Sequence, residues 1–140
     1  MTALTILTDL GREAIGTIES IVRMMTDAAQ IVRTLLAAPA LAEPKVVDHV
    51  QITEIVLPPA QATGLHTHPI PVVGYVQHGS VLVEVEGLQP QQVQAGQAFY
   101  EPANTTIRHC DNLSTTEAAT FIAFYLLGKD DHEVIRLLQV

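Results

Sequence analysis

The chain has 140 residues, which is the size of one domain, and 48% of them are apolar with only 4% aromatic and no Trp, so a core must be built from Val, Ile, Leu and Ala. A formal charge of −8 with seven Lys and Arg leaves no basic face for nucleic-acid phosphates or an anionic membrane surface. The single Cys110 excludes an intrachain disulfide, a multi-thiolate zinc site and a C-x-x-C redox pair.

The first expected element is a helix. Ile15, Ile18, Val22, Met25, Ala29, Val32 and Leu36 recur at alternating spacings of three and four, the seam of an amphipathic helix that Thr8 or Asp9 can cap and Pro39 ends. Ala14, Ile21, Ala28 and Leu35 widen that seam. Three partners suit it: its own domain, the same helix of a second chain, or a different protein docking through residues 10–36. Arg12, Glu13, Glu19, Arg23, Asp27 and Arg33 interrupt the apolar run, so no transmembrane span is expected. Ala-Leu-Ala before Glu43 resembles a small-residue cleavage site, but the apolar stretch ahead of it is short and contains Pro39. The reading favours a retained segment and a cytoplasmic protein; cleavage between Ala42 and Glu43 would instead mean a secreted or periplasmic one. Residues 1–44 are thus expected to be a helical extension and residues 45–140 the main domain.

Beyond Pro44 the period shortens to alternation, the pattern of antiparallel strands. Val46 to Leu57 is the first run, stopped by Pro58-Pro59. Val72 to Gln77 and Val81 to Glu86 are expected to form a hairpin around His78-Gly79-Ser80, with a turn from Gly87 to Gln92. Gln97 to Glu101 and Ile107 to Asn112 flank a corner at Pro102-Ala103-Asn104, and Thr120 to Leu127 is the most apolar strand. Short strands at this spacing indicate a sandwich or small barrel. Between the first two strands stands His66-x-His68, whose side chains share a face about 6.5 to 7 Å apart if the segment is extended, a workable bite for one metal ion.

The run IVLPPAQATGLHTHPIPVVGYVQHG resembles the first motif of the cupin family of small β-barrels, AGQAFYEPANTTIRHCDNLS resembles the second, and FIAFYLLG resembles the closing strand. The resemblance implies a mainly β fold: a cupin-like barrel, a double-stranded β-helix or jelly roll, preceded here by the N-terminal amphipathic α-helix. It also implies a divalent metal held by the two His of the first motif, a Glu a few residues on and a His in the second motif. This chain has Val72 at the Glu position, Ile107 at the second His position and Asn104 for the usual Gly after the corner. His109 lies two residues beyond Ile107, about 6.6 Å along the same face, and a β-bulge would bring it to the metal. Cys110 is expected to face away unless that bulge occurs. The expected ligands are therefore His66, His68 and His109, with Tyr100 and Glu101 offering a phenol and a carboxylate to a bound molecule. Tyr75 and Gln77 are expected to face outward or a neighbouring subunit, and His49, His78 and His132 to be solvated.

Three functions fit. The first is a metalloenzyme using zinc, manganese, iron or nickel on a small organic molecule; the second is a barrel that binds a small molecule without turnover. The third is an assembly or interaction protein that works through the N-terminal helix, with a decayed site. The residues leave catalysis open. Family resemblance and the apolar helix together imply a homo-oligomer, dimer or higher.

Overall fold

The computed structural model describes residues 18–20 and 30–139. Contacts divide the chain into two units, Met1–Leu35 and Leu36–Val140. Of the expected N-terminal helix, residues 18–20 are helical, but residues 30–36 are not. Val32 and Leu36, expected on its seam, lie exposed in irregular chain, where they bury too little to offset the cost of ordering a helix through them. Ile18 falls in the short helical stretch and is half-buried, and Ile15, Val22, Met25 and Ala29 lie outside the described residues.

The described strands are β1 (His49–Leu57), β2 (His66–Thr67), β3 (Val72–His78), β4 (Ser80–Val85), β5 (Gln91–Gln94), β6 (Ala98–Glu101), β7 (Ile107–Asn112), β8 (Ala119–Leu127) and β9 (Arg136–Leu137). They form two antiparallel sheets in the orders β1-β8-β3-β6 and β5-β4-β7-β2-β9. Alternation positions the core. On β8, Phe121, Ala123, Tyr125 and Leu127 are buried and the residues between them are half-buried. β4 likewise buries Val81, Val83 and Val85, and together with Ile70, Val76 and Ile107 these form one apolar cluster. No helix among the described residues is long and apolar enough to cross a membrane.

The expected hairpin around Gly79 does not form. β3 pairs with β6 and β8, whereas β4 pairs with β5 and β7, so the chain passes from one sheet to the other at this point. One residue between two strands is too short a connection for them to pair with each other. Gly79 makes the crossing with φ +76°, and a Cβ there would press on Ala118 and Ala119 at 3.1 Å. Gly74 serves a different need: the Phe99 ring from β6 lies directly over it, where a Cβ would come within 2.1 Å. The expected turn from Gly87 to Gln92 forms at Gly87, where Leu88 N–H donates to the Val85 carbonyl at 3.0 Å, and it ends two residues sooner because β5 starts at Gln91.

Asn104 holds the second-motif corner with φ +56°, the left-handed region that Asn tolerates. Its N–H donates to the carbonyl of His68 at 2.7 Å, tying the second motif to the histidine pair of the first.

Candidate metal centre

β2 is only two residues long because it is a filler strand, held between β7 and β9: His66 pairs with Ile107 on one side and Leu137 on the other. His66 and His68 are 2% and 3% exposed, and their rings meet edge-on with centroids 4.9 Å apart. Each ring is oriented by the main chain. The Nδ1–H of His66 donates to the Gly64 carbonyl at 2.7 Å and that of His68 to the Val134 carbonyl at 2.5 Å. A carbonyl only accepts, so Nδ1 carries the proton in both rings and a neutral ring keeps its lone pair on Nε2.

Both Nε2 atoms point to Glu101, which arrives at the end of β6 from the opposite sheet and is 3% exposed. Its Oε2 lies 2.7 Å from Nε2 of His68 and 3.9 Å from Nε2 of His66. The three donor atoms all lie within 4.8 Å of one another. Two lone pairs 2.7 Å apart repel, so a cation belongs between them, either a proton or a metal ion. Burial works most strongly against charge on His66, yet hydrogen bonds to Glu101 and the Gly64 carbonyl, with the Glu101 and Asp111 charges, raise its pKa above the usual value. Burial is likewise the largest influence on Glu101, but the two histidines overcome it and hold the carboxyl below its usual range. Two imidazoles and one carboxylate brought together form a donor set suited to a divalent transition metal with open positions.

The expected residues are sorted by this geometry. His66 and His68 come together, and Glu101 joins them rather than standing apart as a ligand-binding carboxylate. His109 does not: its side chain is 47% exposed and pairs with Asp111 at 2.6 Å and Glu84 at 3.5 Å on the outer side of β7. The cause is a bulge. Glu84 faces His109 and Val85 faces Ile107, so Arg108 is an extra residue that reverses the parity beyond it. The bulge therefore turns Cys110 inward, opposite to expectation on a regular strand, and points His109 outward. Tyr100 also departs from expectation. It alternates with Glu101 and lines an outer depression with Pro69, Pro71 and Pro102. Val72 is buried, and it is the cross-strand partner of Glu101, so the carboxylate beside the histidines comes from the residue directly across on β6 and not from β3.

The cluster opens into a cavity of about 370 Å³ whose wall includes Leu57, Thr63, Phe99, Cys110, Phe121 and Tyr125. The Tyr125 ring stands 5.9 Å from that of His68. Tyr125 rather than Tyr100 is the tyrosine that lines this cavity, and the alternation of Phe121, Ala123 and Tyr125 along the closing strand was its available signal. Burial, reinforced by the Glu101 charge, pushes the Tyr125 hydroxyl pKa up. Burial with Glu101 and Asp111 pushes the Cys110 thiol up further, so both groups keep their protons.

The sequence profile of the Cupin domain matches residues 53–125. No curated protein matches the chain. Among solved structures, a DMSP lyase from Ruegeria pomeroyi superposes with a TM-score of 0.55 at 14% identity, covering 64% of this chain and 43% of the lyase. A cupin-like protein from Thermotoga maritima gives 0.54 at 19% identity, covering 64% of each chain. Oxalate decarboxylase from Bacillus subtilis gives 0.56 at 20% identity, covering 64% of this chain and 24% of the enzyme. The chain thus spans less than two thirds of each of these proteins, and at such identities the likeness is one of fold.

Proposed function

The chain belongs to the cupin family, and from that premise we propose that it holds one divalent transition metal through His66, His68 and Glu101 and presents it to a small organic molecule in the barrel. The observation that carries this reading is the facing pair of lone pairs on His68 Nε2 and Glu101 Oε2, in a pocket where Glu101 has no Lys or Arg partner among the described residues. When bound, a metal with three protein donors and open positions supplies Lewis-acid or oxygen-activating chemistry. The chain's own groups do the rest. The Gly64 and Val134 carbonyls fix the rings, Phe99 and Phe121 exclude water, and Tyr125 offers a protonated hydroxyl beside the His68 ring.

Metal analysis of protein purified without chelators, followed by titration of chelated protein with zinc, manganese, iron and nickel, tests this. Near one equivalent is expected for the wild type and for His109→Ala, and almost none for Glu101→Ala or the His66→Ala, His68→Ala double variant. A wild type that takes up none of the four metals would end the reading.

Self-association is a second part of the proposal. Val50, Ile52 and Val56 on the edge strand β1 are exposed, beside half-buried Ile122, Phe124 and Leu126 on β8, and this apolar outer face suits a second copy of the chain. Light scattering is expected to show a dimer or larger species that Ile52→Lys shifts towards the monomer; a monomeric wild type would exclude it.

A further inference from the structure

Thr63 lines the same cavity as the histidine and glutamate cluster, and its Oγ1 is buried without a hydrogen-bond partner among the described residues. Its segment is anchored on both sides. Ala60 N–H donates to the Ser114 carbonyl at 2.7 Å and Asn112 N–H to the Gln61 carbonyl at 2.9 Å, while Gly64 accepts from His66. A hydroxyl fixed in place and left unpaired in a protein interior costs stability, and it persists where a ligand completes it.

The remaining wall narrows the ligand further. Leu57, Val72, Phe99, Phe121 and Ile135 are apolar, no Lys or Arg lines the cavity, and its acidic group is Glu101. A divalent cation beside one carboxylate leaves a single positive charge, enough to match one negative group of a ligand and not two.

Resting on the metal reading for the reactive end, we propose that the cavity selects a largely apolar small molecule, neutral or singly charged, whose second polar group hydrogen-bonds to Thr63, and that it rejects dianionic acids. At about 370 Å³ the cavity lies near the lower end of the range of roughly 300 to 1,000 Å³ usual for small-molecule sites. The ligand is therefore compact, of the order of one ring with a polar substituent. Thr63 acts in it as an anchoring residue.

The test uses benzamide and malonate as probes, measured by calorimetry on the full chain both with and without cobalt(II). Benzamide is expected to bind both forms, and malonate neither. Thr63→Val is expected to weaken benzamide about threefold to tenfold, the effect of one neutral hydrogen bond, while raising the melting temperature of the unliganded protein because the orphan hydroxyl is gone. Thr63→Ser, which keeps the hydroxyl, should retain the affinity. A purely structural role for Thr63 predicts lower stability and no change in benzamide binding. The proposal is overturned if malonate binds as tightly as benzamide, if benzamide does not bind at millimolar concentration, or if Thr63→Val leaves its affinity unchanged. Failure of the metal reading shows separately, as absence of cobalt uptake, and benzamide binding to the metal-free chain then decides the cavity proposal alone.

Discussion

A carboxylate serves a metal by where its oxygen ends up, and residues that face each other across two strands deliver oxygens to nearly the same place. Val72 and Glu101 are such a pair. Glu101→Val is expected to lower metal affinity by at least about 100-fold, since a direct ligand is worth more than the orienting partners whose loss costs about 10 to 100-fold. Adding Val72→Glu should recover much of that loss, measured by competition with a chelating dye; no recovery would mean that the β3 and β6 positions are not interchangeable. Titration gives a second check. His66, raised above its usual 6.5, stabilises the metal-free fold below that pH and loses the contribution as pH rises through its folded value. Glu101, lowered from its usual 4.5, stabilises the fold above that pH and loses the contribution as pH falls through its folded value. The metal-free melting temperature should therefore include a site contribution that is greatest from about pH 4.5 to 6.5 and fades above it. Metal affinity should run the other way, rising with pH as Nε2 loses its proton. A metal-free protein with no loss of stability above neutrality would show that the pair is not ionised as described. The sequence made His66 and His68 legible because their spacing is local, and it singled out Glu101 beside the pocket. Its role as a companion of the histidines depends on the β3–β6 register, which one strand read alone does not contain.

Strands were legible wherever alternation had room to repeat, as on β1, β3, β4 and β8, which span six to nine residues each. β2 and β9, two residues long, carry no period and exist because neighbours hold them. The bulge on β7 is likewise a tertiary matter: Arg108 and His109 both face solvent only because β4 fixes Glu84 against His109 and Val85 against Ile107. β9 has a consequence for the candidate site that the sequence concealed. The segment around it supplies the Val134 carbonyl that orients His68, and Leu138 N–H donates to the Leu65 carbonyl at 2.9 Å beside His66. Ending the chain after His132 should thus weaken metal binding by about 10 to 100-fold, the usual effect of losing a partner that orients a ligand, while the β1–β8 pair and the core remain. Circular dichroism checks the fold and dye competition the affinity. Unchanged affinity would show that His68 keeps its orientation without the Val134 carbonyl.

At the scale of the whole molecule the candidate site is a junction between the two sheets. His66 belongs to β2 in the five-stranded sheet, and Glu101 ends β6 in the four-stranded one. An ion shared by them would be a cross-link, with its binding free energy added to the force holding the sheets together. At a free metal concentration 100 times the dissociation constant that addition is about 2.7 kcal/mol, and for a domain near 100 residues it corresponds to a rise in melting temperature on the order of 10 °C. Chelated wild type should therefore melt about that much lower than loaded protein, and the difference should vanish in Glu101→Ala, where the histidines remain in and just after β2 and no carboxylate reaches them from β6. The comparison separates a bridge from a surface effect, because ions adsorbed on a chain of formal charge −8 would stabilise wild type and variant alike. Equal shifts in the two proteins would place the ion outside the barrel; a shift confined to the wild type would make the junction between sheets both the structural hinge of stability and the seat of the chemistry.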